Sequence, residues 1–181
     1  MSLFSKHTNA LRWFGFVAVW LALDQITKRF AVTMLKPVGY VSVLGDFLRL
    51  TYAENRGMAF SISIFPPWFL TSIAIGAAIV LSYQLWKHPE PVFRNVCLSL
   101  ILAGAAGNVF DRIHYGYVID FIDCDFPDFI MNRWPVFNFA DSGITVGVVM
   151  FGIYSIFEKP KPDTVQEKPT VNSSTTSDHP V

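Results

Sequence analysis

Two aspartates stand where an apolar chain should least accept them: Asp120, in Val118-Ile119-Asp120-Phe121-Ile122, and Asp141, in Phe137-Asn138-Phe139-Ala140-Asp141 at the mouth of an apolar run. A carboxylate at a membrane boundary is costly to ionise, and two that meet titrate as a coupled pair. Such a pair can hydrolyse a peptide without a cofactor. One member activates a water while the other protonates the substrate carbonyl or the leaving amine. Asn138 is placed to cap a helix, which puts Asp141 at the third helical position, where the helix dipole favours an anion. The expected roles are Asp141 as base and Asp120, flanked by Val118, Ile119, Phe121 and Ile122, as the protonated partner. Structural roles compete for the same residues. Capping is compatible with catalysis by Asp141, whereas Asp120 can instead cap a helix or pair with Arg112.

Other chemistries leave gaps. There is no His-Glu-x-x-His for zinc and no Gly-x-Ser-x-Gly elbow, and His7, His88, His114 and His179 are scattered. His7 and His179 fall in expected flexible termini and His88 in a short loop, so these three read as solvated. Asp123 and Asp125 can hold a metal, but acidic loop residues are more often simply solvated, and neither metal nor cofactor is expected. Cys97, in an apolar run, and Cys124, in an acidic loop, should lie at different depths and form no disulfide. A formal net charge of zero gives no reason to expect nucleic acid.

The elements that must position these residues are membrane spans. Hydrophobic residues make up 52% of the 181, charged residues only 15%, and there are 17 Phe; mean hydropathy is +0.39. Four apolar runs approach the roughly 20 residues needed to cross a hydrocarbon core: about Leu11–Met34, Pro67–Trp86, Val92–Phe110 and Phe139–Phe157. The second carries no charge and has Trp68 and Trp86 near its ends, as interfacial belts prefer. The first carries Asp24, Lys28 and Arg29 in its outer third. Asp24 and Lys28 are four apart and share a face, so they form either an ion pair or a substrate-facing site. The third ends in Ala103-Gly104-Ala105-Ala106-Gly107-Asn108, small residues that let a neighbouring helix approach. Lys6 and Arg12 before the first run look like the start of a signal peptide, but Trp20 spoils the cleavage site and three further runs follow, so a retained helix is expected.

The expected fold is a mainly α membrane protein, residues 1–160, with four transmembrane helices and a small β-sheet on the outer, periplasmic side. The sheet should lie within 37–66, where Tyr40–Leu44 and Leu48–Tyr52 are β-prone and Gly45-Asp46 supplies a turn. Asn55, in Asn55-Arg56-Gly57-Met58-Ala59-Phe60, reads as a solvated turn when taken alone. The loop between spans three and four carries Asp111, Asp120, Asp123, Asp125 and Asp128. The tail, 161–181, should be a disordered cytoplasmic segment. Basic residues on the terminal side (Lys6, Arg12, Lys87, Arg94, Lys159, Lys161) are denser than those on the other (Lys36, Arg49, Arg56, Arg112, Arg133), which favours cytoplasmic termini and outer aspartates.

Five segments in order resemble the motifs of the bacterial lipoprotein signal peptidase family: Asp24-Gln25-Ile26-Thr27-Lys28, Asn55–Phe60, Gly104–Arg112, Val118-Ile119-Asp120-Phe121 and Phe137–Asp141. Ala103 stands where a Gly is usual, and the acidic stretch Asp123 to Asp128 looks like a long insert. The resemblance implies an aspartyl endopeptidase of the bacterial inner membrane. Such an enzyme removes signal peptides from diacylglyceryl-modified prolipoproteins, cuts before the lipidated cysteine and binds the inhibitor globomycin. It also implies a dyad of Asp120 and Asp141, with Asp24, Asn55, Asn108, Arg112 and Asn138 lining or bracing the site and Asn108 and Asn138 orienting the carboxylates; Asp111, which the resemblance does not place, reads as structural. Membrane lipids are the remaining expected partner. A small proton- or cation-coupled transporter is the competing expectation, since intramembrane carboxylates also relay protons and bind cations.

Overall fold

Apolar runs of spanning length become helices, because lipid offers no partner for a backbone amide that its own segment leaves unpaired. The computed structural model describes residues 3–57, 66–125 and 133–158, with residues 3–7 and Pro67 described by backbone alone. The expected tail 161–181, the Met58-Ala59-Phe60 end of the Asn55 motif, Asp128, His179 and the His7 side chain lie outside that description. Helix α1 is Leu3–Phe30, continued by a π-helical turn, Ala31–Leu35. Helices α2, Pro67–Lys87, α3, Val92–Tyr115, and α4, Phe139–Phe157, complete the bundle. Among the described residues, stretches of α2, α3 and α4 are long and apolar enough to cross a membrane, with mean hydropathies of 1.6, 1.5 and 1.5.

Helix α3 is the centre. Of its spanning stretch 61% is buried, against 6% for α2 and 17% for α4, so the other helices pack around it and turn large apolar side chains such as Ile73, Ile79, Val149 and Ile156 outward. The small residues of its C-terminal half permit this. A methyl group on Gly104 would strike the Ala140 carbonyl oxygen, and one on Gly107 the Asp24 carboxylate. Helix α4 answers with Gly147, where a Cβ would sit 2.8 Å from the Cys97 carbonyl oxygen. At the end of the bundle that holds the α2–α3 loop, Trp13 Nε1 donates to the Pro89 carbonyl at 3.0 Å, fixing α1 against that loop.

Strands β1, Tyr40–Leu44, β2, Leu48–Asn55, and β3, Val118–Cys124, form an antiparallel sheet in the order β1-β2-β3. The expected sheet within 37–66 supplies two of these strands; the third comes from beyond α3. Two expectations are corrected here. Helix α3 runs past Phe110 to Tyr115, so Asp111 and Arg112 are helical rather than loop residues. The chain then turns at Gly116, whose φ of 80° is open to glycine at little cost, and enters β3. Asp120 therefore lies within a strand and does not cap a helix.

Candidate active site

Asp120 and Asp141 reach the site from different elements, and Asn138 joins them. The Asn138 side chain accepts a hydrogen bond from the Asp141 backbone N–H at 2.9 Å, while the Asn138 N–H donates to Asp141 Oδ2 at 3.2 Å, a complete capping box. The same Asn138 amide donates from Nδ2 to Asp120 Oδ1 at 2.7 Å. The expected cap is thus also the link between the two carboxylates. Asn108, on α3, donates from Nδ2 to Asp141 Oδ1 at 2.7 Å and accepts from Asn138 Nδ2 at 3.2 Å.

On the sheet, Ala53 pairs with Asp120 and Asn55 with Val118, so Asn55 and Asp120 are diagonal neighbours on one face. Asn55 Nδ2 donates to Asp120 Oδ2 at 2.9 Å, and its Oδ1 accepts from the Gly57 N–H. The turn reading is half of its role; the other half is to hold Asp120. Burial, reinforced by the charge of Asp141, lifts Asp120 from the ordinary carboxylate range to about 7, against the lowering by Asn55, Asn138 and Lys28. Both aspartates open into a cavity of about 600 Å³, lined also by Asn55, Asn108 and Arg112 and otherwise largely apolar, with Val118, Val136, Ile144 and Val146. Arg112 feels the charges of Asp141 and Asp120 across this space, yet among the described residues it forms no ion pair with either, so the expected Asp120–Arg112 pair is not what holds Asp120.

Asp24 does not line the cavity. It is completely buried, accepts from the Ala140 N–H at 2.9 Å and pairs with Lys28 Nζ at 2.9 Å, so of its two readings the ion pair is the one found. Lys28 also pairs with Asp111 Oδ2 at 2.9 Å and donates to Asn108 Oδ1 at 3.1 Å. Asp111 further accepts from Gln25 Nε2 and from the Ile119 N–H, which ties α1, α3 and β3 together beneath the site. What the sequence did not reveal is the role of Gln25 and the reach of Lys28 beyond Asp24 to Asp111 and Asn108. The available signal was the helical phase of Asn108 with Asp111 and Arg112, three and four positions on, which continuing α3 past Phe110 would have exposed. Asp123 and Asp125 pair with Arg133 at 2.9 and 3.5 Å. His114 is exposed and stacks on Phe110.

A helical bundle with a small sheet beside a carboxylate-lined, apolar cavity matches solved membrane enzymes. One bacterial membrane enzyme, solved in meso at 2.3 Å, superposes with a TM-score of 0.71 and 32% identity over 87% of this chain and 92% of its own. Another, at 1.9 Å, gives 0.71 and 32% over 82% and 94%. More specifically, residues 16–157 match the family described as Signal peptidase (SPase) II, and the chain belongs to that family. A lipoprotein signal peptidase of Caldanaerobacter subterraneus subsp. tengcongensis is 43% identical over 143 residues, covering 78% of this chain and 94% of its own. One of Janthinobacterium sp. is 41% identical over 152 residues, covering 82% and 90%. The transporter expectation is dropped, because family and relatives alike are peptidases.

Proposed function

We propose that Asp120 and Asp141 are the catalytic dyad of this protein, a signal peptidase II that removes signal peptides from prolipoproteins. The observation that carries the proposal is the shared grip of Asn138 on both carboxylates, 2.7 Å to Asp120 and 3.2 Å to Asp141, at the wall of one cavity. In this reading Asp141, in the first turn of α4, is the base. It takes a proton from water as the oxygen attacks the scissile carbonyl, and Asp120 gives its proton to the carbonyl oxygen. The resulting diol collapses as Asp141 passes the acquired proton to the leaving amine and Asp120 recovers its own. No cofactor enters the cycle.

Asn55, Asn108 and Asn138 hold the carboxylates, Arg112 faces the substrate across the cavity, and Asp24 braces α4 from below. The substrate is a diacylglyceryl-modified prolipoprotein cut before its lipidated cysteine, and globomycin competes for the same cavity. A lipidated substrate arrives sideways in the bilayer. The exposed, apolar Val146 on the cavity rim suits that approach. Helix α1 serves as the fourth span, with cytoplasmic termini and the sheet and dyad on the periplasmic side of a bacterial inner membrane. Mass spectrometry of products from the purified protein, given lipid-modified and unmodified prolipoprotein in detergent, tests this reading. The expected product begins at the lipidated cysteine and forms only from the modified substrate. Cleavage elsewhere, or of both substrates at equal rates, contradicts it.

A further inference from the structure

A second cavity, of about 270 Å³, shares no lining residue with the first. Its walls carry Arg29 from α1, Lys36 just after the π-helical turn, and Tyr52, Tyr115 and Tyr117 from β2, the end of α3 and the entry to β3. Lys28 lies in its floor and is already engaged by Asp24 and Asp111. Arg29 is exposed and, among the described residues, has no ion pair. Lys36 and Arg56 share one partner, Glu54, at 3.3 and 3.4 Å, all three at or near the surface. Cations therefore outnumber carboxylates at the rim. Burial, with Tyr117 and Glu54, pushes the Tyr52 phenol up, so it stays protonated, and its hydroxyl donates to Glu54 Oε1 at 3.1 Å, occupying part of the one carboxylate that Lys36 and Arg56 share. Unsatisfied positive charge and apolar walls, Val32 and Ile119 among them, together suit an anion attached to something apolar.

Helix α1 supplies the apolar part. Gln25 and Arg29 lie on a stripe that continues in phase through Ala22, Ala18 and Gly15, all exposed, with open space beside Gly15. From Ala22 to Gly15 the stripe is about 10 Å long, within the roughly 15 Å depth of one leaflet. Small side chains there leave a shallow slot, with the exposed Val19 and Ile26, seven positions apart, together forming one of its walls. We propose that the second cavity binds the phosphate headgroup of an anionic membrane phospholipid, with Arg29 and Lys36 as its charge partners and one acyl chain lying along the Ala22–Gly15 slot. A soluble phosphate would use the same cations but not the slot.

Native mass spectrometry of delipidated protein in neutral detergent tests this independently of catalysis, with phosphatidylglycerol, phosphatidylcholine of the same chains, and inorganic phosphate as probes. One phosphatidylglycerol should be retained in preference to phosphatidylcholine. Its affinity should fall about fivefold in each of R29Q and K36Q, while the charge-keeping K36R retains it. Equal retention of the two lipids, or unchanged phosphatidylglycerol affinity in the R29Q/K36Q double variant, overturns the proposal. Retention of inorganic phosphate as tight as that of the lipid overturns the lipid as the source of the phosphate.

Discussion

Two groups of carboxylates, buried except for the half-buried Asp141, share the polar layer of this protein, and they differ in what neutralises them. Asp24 and Asp111 close on the Lys28 ammonium at 2.9 Å each, and all three side chains are at most 1% exposed. Asp120 and Asp141 are held by the amides of Asn55, Asn108 and Asn138 instead, which orient a carboxylate without cancelling its charge. Where the cation is present, the cluster is sealed and braces three elements. Where it is replaced by amides, the charge is left partly uncompensated beside an apolar cavity, and Asp120 answers by keeping its proton up to about 7. Asn108 joins the two groups, accepting from Lys28 on one side and donating to Asp141 on the other. The same residue types thus make a brace or the pair we propose as reactive, according to the counter-ion and the access.

Substitutions on the two sides should separate these roles. The largest effect is expected at the dyad, where Asp120→Asn or Asp141→Asn should lower kcat for prolipoprotein cleavage about 10³-fold while the protein stays folded in detergent. Breaking the brace should act first on stability. Lys28→Gln leaves Asp24 and Asp111 without their cation and should cost about 3–5 kcal/mol of stability, read as a large fall in Tm. At the junction, Asn138→Ala should cost about 1 kcal/mol through the lost cap and lower kcat about tenfold or more through the freed Asp120. The smallest effect is expected far from both groups, where Arg133→Gln removes partly exposed pairs with Asp123 and Asp125 and should change stability by less than about 1 kcal/mol.

Much of this contrast was legible in the chain, for identifiable reasons. The α4 cap was readable because Asn138 and Asp141 have capping-box spacing before an apolar run, and α2 because Pro and Trp bound an uncharged span. The Asp24–Lys28 pair followed from its i,i+4 spacing. Strand β3 was not readable, because Val118–Phe121 are buried on both faces and show no alternation. The last turn of α3 was hidden because Asp111 and Arg112 look like loop residues until their partners are known. Those partners, Lys28 and Gln25 on α1, are distant in sequence, and only packing brings them to Asp111.

The pairing of Asp120 with Asp141 is tested most directly by pH. Because the folded protein holds the Asp120 proton from the ordinary value of 3.8 up to about 7, it binds more protons than the unfolded chain in that window, and stability should fall as pH rises through it. Asp120→Asn should flatten that slope by the Asp120 share. The decisive measurement is the pH profile of kcat/KM on a lipid-modified prolipoprotein. A bell is expected, with an acid limb where the dyad loses its anion and an alkaline limb near 7 from loss of the Asp120 proton. A profile with a single acid ionisation and no decline on the alkaline side would contradict it.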